Sequence, residues 1–129
     1  MGYGVAKALA AEGAKVSLCS RTEAEVQEAA KTLTNEYGAE TLASACDVTK
    51  MEDIQAWVDK TVEAWGVIDC LLVNAGGPPA KIFKDVTDEE WQAAFELTLL
   101  SSVRMIRATL PHMTNGGSIL TVTSSSIKE

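Results

Sequence analysis

Three Thr-x-x-Glu pairs, Thr22 with Glu25, Thr49 with Glu52 and Thr87 with Glu90, each open an apolar stripe of helical period, and short apolar runs of strand length lie between the stripes. In such a pair the threonine hydroxyl accepts from the backbone N–H three residues on, and the glutamate reaches back to the threonine N–H. Helix starts are thereby marked. A chain that alternates strands with capped helices must bring its strands parallel through right-handed crossovers. The fold class is therefore α/β, a doubly wound parallel sheet in three layers, α/β/α.

The opening glycines lead into Val5, Ala6, Leu9 and Ala10 at helical spacing until Gly13, and residues 15–20 follow as a strand. A second helix spans about residues 22–37, with Val26, Ala29, Ala30, Leu33 and Tyr37 as its stripe and Gly38 as its stop. Residues 41–46 are the next strand. The helix capped by Thr49 carries Ile54, Trp57, Val58, Val62 and Trp65 and closes at Gly66, before a strand at 68–73. Pro78-Pro79 then breaks regular structure, and residues 81–85 continue irregularly. From about residue 88 a long helix carries Trp91, Phe95, Leu99, Ser102 and Ile106 as its stripe towards Met113; Leu97, Leu100 and Arg104 fall off that face. Asn115-Gly116-Gly117 ends it, and residues 118–123 form the last strand.

Composition limits the function. With 129 residues, 47% of them hydrophobic, the chain is expected to form one domain around one core. A formal charge of −7 argues against a nucleic-acid backbone and against an anionic membrane surface as partners. No apolar run has membrane-spanning length, and the first residues lack the pattern of a signal peptide, so a cytoplasmic location is expected. Cys19, Cys46 and Cys70 are odd in number and too scattered for metal spacing, which reads as buried free thiols and no metal site.

Chemistry gathers at the carboxyl ends of the strands, where open α/β sheets bind ligands. The run Cys70-Leu71-Leu72-Val73 delivers Asn74-Ala75-Gly76-Gly77, where glycine admits a flat ligand against the backbone and the Asn amide can tie strand ends together. Ser20-Arg21, Asp47-Val48 and Thr123-Ser124-Ser125-Ser126 end the other strands, and all four ends are expected to face one crevice. Plainer readings stand beside these. Arg21 suits a solvated position ahead of a helix, Asp47 a turn before one, and a serine in a Ser/Thr run is often a backbone cap. Gly2 and Gly4 sit where a helix start can offer N–H groups to a phosphate.

These residues together resemble the short-chain dehydrogenase/reductase family, whose members carry a Rossmann-like NAD(P)-binding domain. Met1-Gly2 is similar to the end of the family's TGxxxGIG turn, Asp47-Val48 to its adenine-contacting pair, and Asn74-Ala75-Gly76 to its NNAG motif. Leu110-Pro111-His112-Met113 followed by Gly117-Ser118-Ile119 resembles the exit of the family's long helix into its fifth strand. That places Ser124 at the catalytic serine, with Ser125 the nearest competitor.

The resemblance implies Gly2, Ser20, Arg21, Asp47, Val48, Asn74, Ala75 and Gly76 as cofactor-binding residues. Ser20 stands where an acidic residue would accept from a ribose 2′-hydroxyl, and Arg21 suits a 2′-phosphate, so NADP is favoured over NAD. The substrate class is a small carbonyl or alcohol. The family's helix asparagine falls at Thr98, its first strand would precede Met1, and its YxxxK segment would follow Glu129. Residues 1–129 thus read as a single truncated domain, inactive alone and expected to form a homo-oligomer or to take a complementing chain. The alternative is a non-catalytic, self-associating α/β remnant with partial or no nucleotide binding.

Overall fold

A computed structural model of the chain describes residues 1–124. They fall into two compact units, residues 1–66 and residues from 67 onward. The first unit runs α1 (Gly2–Ala11), β1 (Val16–Ser20), α2 (Glu23–Tyr37), β2 (Thr41–Ala45) and α3 (Met51–Trp65). β1 and β2 pair in parallel from Val16 opposite Thr41 to Ser20 opposite Ala45. Strand alternation then sorts the faces. Val16 packs with Ala6, Ala10, Leu33 and Ala39, Ala43 packs with Val26 and Ala30, and Leu18 touches both clusters, so this face meets α1 and α2.

The opposite face meets α3 through polar contacts. Trp57 Nε1 donates to Ser17 Oγ at 2.8 Å, the Ser17 and Thr61 hydroxyls lie 2.7 Å apart, and Lys60 Nζ donates to the Ala43 carbonyl at 2.7 Å. Helix, sheet and helix thus form the expected three layers within this unit. Gly13, Gly38 and Gly66 hold φ of 83°, 66° and 83° at the three helix exits, the left-handed region glycine adopts without a Cβ penalty.

The second unit holds β3 (Cys70–Val73), α4 (Asp88–Phe95), a π turn (Glu96–Leu100), α5 (Ser101–Thr109) and β4 (Ser118–Thr121), with 3-10 turns at Phe83–Asp85 and Leu110–His112. β3 and β4 are parallel, from Cys70 opposite Ser118 to Val73 opposite Thr121. Leu71, Val73, Met105 and Ala108 are buried here, together with Ser101 and Thr109.

Several expectations are corrected. Of the three capping boxes only Thr87–Glu90 forms, with both reciprocal bonds. Thr22 caps α2 by position but its side chain makes no cap bond, and its ψ of 109°, against 164° at Thr87, turns the hydroxyl away from the helix N–H groups. The third helix starts after Lys50 rather than after Thr49, because Asp47 takes up Thr49.

The long helix is interrupted at residues 96–100. There the Ser101 N–H bonds the Glu96 carbonyl five residues back, and the Thr98, Ser101 and Ser102 hydroxyls each bond the carbonyl four residues earlier. Its stripe is also divided: Ser102 and Ile106 are half-buried, but the larger residues ahead of them are not. Trp91, Phe95 and Leu99 are 52%, 47% and 55% exposed, whereas Leu97, Leu100 and Arg104 are half-buried. The helix carries two apolar stripes, and the one of small residues, with Ser101 and Ala108 beside Met105, makes the close contact. Cys46 is buried, but Cys19 is half-buried and Cys70 is exposed.

Candidate functional site

Strand pairing sets the geometry of the site. Because β1 and β2 are parallel and in register, their carboxyl ends emerge side by side, and the ladder extends one step further as Cys46 N–H donates to the Ser20 carbonyl at 2.8 Å. Ser20-Arg21 therefore lies beside Asp47-Val48. Ser20 Oγ donates to the Thr22 carbonyl at 2.9 Å, which ties the serine into the turn and leaves Arg21 exposed at its tip.

Asp47 is organised by hydrogen bonds. Its Oδ1 accepts from the Thr49 N–H at 3.0 Å and from the Thr49 hydroxyl at 2.7 Å, while its own N–H donates to Asp53 Oδ2 at 2.9 Å. The Thr49 hydroxyl and N–H, aided by the charges of Lys50 and Arg21, hold its carboxyl below the usual aspartate range. An ionised acceptor is thereby kept at the strand end at neutral pH, with Arg21 near enough to be felt.

The second unit presents the other motif. Val122 N–H donates to the Val73 carbonyl at 3.0 Å, so Asn74-Ala75-Gly76 leaves β3 where Val122 leaves β4, and Ser124 follows two residues further along the chain. Asn74 and Gly76 are exposed, and no atom lies within 4 Å of where a Cβ would stand on Gly76 or Gly77. Internal packing leaves that space clear. Ser125, the competitor for the serine position, lies outside the described residues.

Each unit therefore carries its own half of the predicted residues: Ser20, Arg21, Asp47 and Val48 on adjacent strand ends in one, Asn74, Ala75 and Gly76 after β3 and Ser124 after β4 in the other. Gly2 opens α1, and Gly4 N–H bonds back to the Met1 carbonyl at 2.9 Å. A Cβ on Gly4 would meet nothing within 4 Å.

Tyr3 and Lys7 reproduce the YxxxK spacing, a coincidence the sequence reading did not weigh. Lys7 Nζ pairs with Glu36 at 3.2 Å and sits 6.0 Å and 5.9 Å from the Tyr3 and Tyr37 rings. The Glu36 carboxylate raises its pKa. These residues staple α1 to α2. Thr98 spends its hydroxyl on the Ala94 carbonyl at 2.6 Å, inside the π turn.

Among the described residues no cluster of His, Cys, Asp and Glu could hold a metal, and no helix is long and apolar enough to cross a membrane.

The family described as enoyl-(acyl carrier protein) reductase matches residues 1–129. The short-chain dehydrogenase/reductase aba4 of Botryotinia fuckeliana is 30% identical over 128 residues, covering 96% of this chain and 50% of that protein. The chain spans about half the length of the curated relatives it matches. Two solved structures superpose closely. The alcohol dehydrogenase of Thermococcus sibiricus, complexed with 5-hydroxy-NADP, has a TM-score of 0.90 at 31% identity over 95% of this chain and 53% of that one. The L-sorbose reductase of Gluconobacter frateurii, complexed with NADPH and L-sorbose, has a TM-score of 0.88 at 33% identity over 93% and 46%. Parallel strands linked by helices, strand ends bearing Asp47-Val48 and Asn74-Ala75-Gly76, and a match across residues 1–129 together make this chain a member of the short-chain dehydrogenase/reductase family.

Proposed function

We propose that this chain supplies the nucleotide-binding half of an NADP-dependent oxidoreductase acting on a small carbonyl or alcohol. The observation that carries this reading is the in-register pairing of β1 and β2, which sets Arg21 beside Asp47. A guanidinium gives the 2′-phosphate of NADP a charge-assisted, bidentate partner, and the half-buried Val48 offers the adenine an apolar contact. Asn74-Ala75-Gly76 supports the far side, where a glycine with open space above it lets a flat ring approach the backbone. Both named solved relatives were crystallised with NADP-type cofactors, which favours the same choice here.

The bound cofactor would supply or accept a hydride. Ser124 would donate its hydroxyl to the substrate oxygen and orient the carbonyl. A positioned acid or base contributes roughly 10²–10⁴-fold. Tyr3 and Tyr37 are the chain's two tyrosines, and Tyr37 lies on α2 beside Lys7. Residues 1–129 by themselves are therefore expected to bind cofactor and to turn substrate over feebly. The exposed Trp91, Phe95 and Leu99 stripe favours self-association through the long helix.

A thermal-shift titration with NADPH and NADH tests the reading. NADPH is expected to raise the melting temperature more than NADH, and Arg21→Ala to weaken NADPH about 10- to 100-fold, the worth of one hydrogen bond to a charged group, while leaving NADH unchanged. No shift with either cofactor overturns it.

A further inference from the structure

Most of the bonds that fix Asp47 are local. Its Oδ1 accepts from the Thr49 N–H and hydroxyl, and its carbonyl accepts the Lys50 N–H at 2.8 Å. These close a tight turn but do not set where the turn stands against the rest of the unit. One bond does. The Asp47 N–H donates to Asp53 Oδ2 at 2.9 Å, from the strand exit to the first turn of α3. Asp53 is half-buried, and Ile54 beside it is 0% exposed, so the carboxylate hangs from a stretch of helix that packing holds in place. A carboxylate in a first turn ordinarily serves its own helix, whose first N–H groups lack partners. α3 has no side-chain cap, and yet Asp53 gives an oxygen to the strand exit instead.

We propose that Asp53 is a positioning residue for the nucleotide: it holds the Asp47 backbone from α3, so that the Asp47 carboxylate and the Val48 side chain meet the adenosine in one fixed arrangement. The inference rests on the function proposed above. Asp53 acts through Asp47 rather than on the cofactor. A bond from a backbone N–H to a carboxylate is charge-assisted, shorter and stronger than one between neutral groups, which suits it to an anchor. Two carboxylates at one strand exit repel each other, and the charges of Lys50 and Arg21 acting on Asp47 offset that repulsion.

The neighbouring residues show why one anchor suffices. Upstream, Cys46 is fixed by its N–H bond to the Ser20 carbonyl; downstream, Lys50 is tied into α3 as its carbonyl accepts the Ile54 N–H at 3.3 Å. Asp47-Val48-Thr49 spans the gap between those two points. Without the Asp53 bond the local turn survives but can pivot between them, and binding must then order it, which weakens affinity.

The test is a double-mutant cycle on NADPH affinity by calorimetry, with amide hydrogen exchange of the unliganded chain followed by NMR. Asp53→Ala is expected to weaken NADPH about 10-fold, the size of one lost hydrogen bond to a charged group. Asp53→Asn, whose amide oxygen still accepts the Asp47 N–H, is expected to restore most of that affinity. In an Asp47→Ala background, Asp53→Ala is expected to add little, because its effect runs through Asp47. Thr87→Ala, which loosens a helix cap in the other unit, controls for stability and is expected to leave NADPH affinity unchanged. In the unliganded chain Asp53→Ala is expected to speed exchange of the Asp47 amide about 10-fold, while the Gly38 amide, bonded to the Thr34 carbonyl at the exit of α2, keeps its rate. Unchanged affinity in Asp53→Ala, losses that simply add in the double variant, or an Asp47 amide exchanging at the parent rate overturns the proposal. If the parent chain does not bind NADPH, the cofactor reading falls, and the Asp47 amide alone then supports or overturns the hold that Asp53 exerts.

Discussion

Gly117→Ala tests how the second unit aligns its strands. A Cβ on Gly117 would stand 2.6 Å from the Asp69 carbonyl oxygen and 2.6 Å from Met113 Cε, at a φ of +154° that side chains rarely adopt. The methionine methyl can swing aside; the carbonyl cannot. That oxygen accepts from Ser118 N–H at 2.9 Å in the first rung of the β3–β4 ladder. Backbone strain of about 1–3 kcal/mol and a weakened rung of about 0.5–1.5 kcal/mol together predict a loss of about 2–4 kcal/mol. Urea denaturation at equilibrium measures it. Gly76→Ala is the control: its Cβ meets nothing within 4 Å, so stability is expected within about 0.5 kcal/mol of the parent, while NADPH affinity falls. A Gly117→Ala protein as stable as the parent would refute the claim that this contact pins the register.

Thr87→Ala is expected to cost about 1 kcal/mol, the worth of a capping side chain, and Thr22→Ala clearly less, since only Thr87 accepts a helix N–H; paired urea titrations compare them. Acid should expose the bonds at Asp47. Its folded pKa lies below the unfolded value near 3.8, so its contribution is complete above about pH 4 and is lost as pH falls through the folded pKa. Asp47→Asn is expected to lower stability at pH 7 and to flatten the fall below pH 4 in pH-dependent melting.

The alternation of elements was legible because helix stops and strand runs are local. Gly13, Gly38 and Gly66 each mark the residue where the backbone turns left-handed, or the step just after a helix ends. Cap chemistry was legible only in part. Thr22, Thr49 and Thr87 share one pattern, yet whether the hydroxyl meets a helix N–H depends on ψ at that residue and, at Thr49, on Asp47 competing for it. The long helix misled for a different reason. Its largest side chains form a regular stripe, and period alone does not say which of two apolar stripes meets the sheet. The strand-end residues were placed by residue type at β-strand exits, whereas the neighbour each one meets across the sheet needed the register, which no single strand encodes.

The bond from Trp57 to Ser17 gives the first unit an optical signature of its own. An indole held by a fixed donor bond between helix and strand emits differently from one in water, and Trp91, the one tryptophan of the second unit, is 52% exposed. In Trp91→Phe the remaining emission comes from Trp57 and Trp65, both on α3. Fluorescence then follows the first unit while circular dichroism follows every helix, and the separation of the two melting curves measures how independently the two units lose their structure.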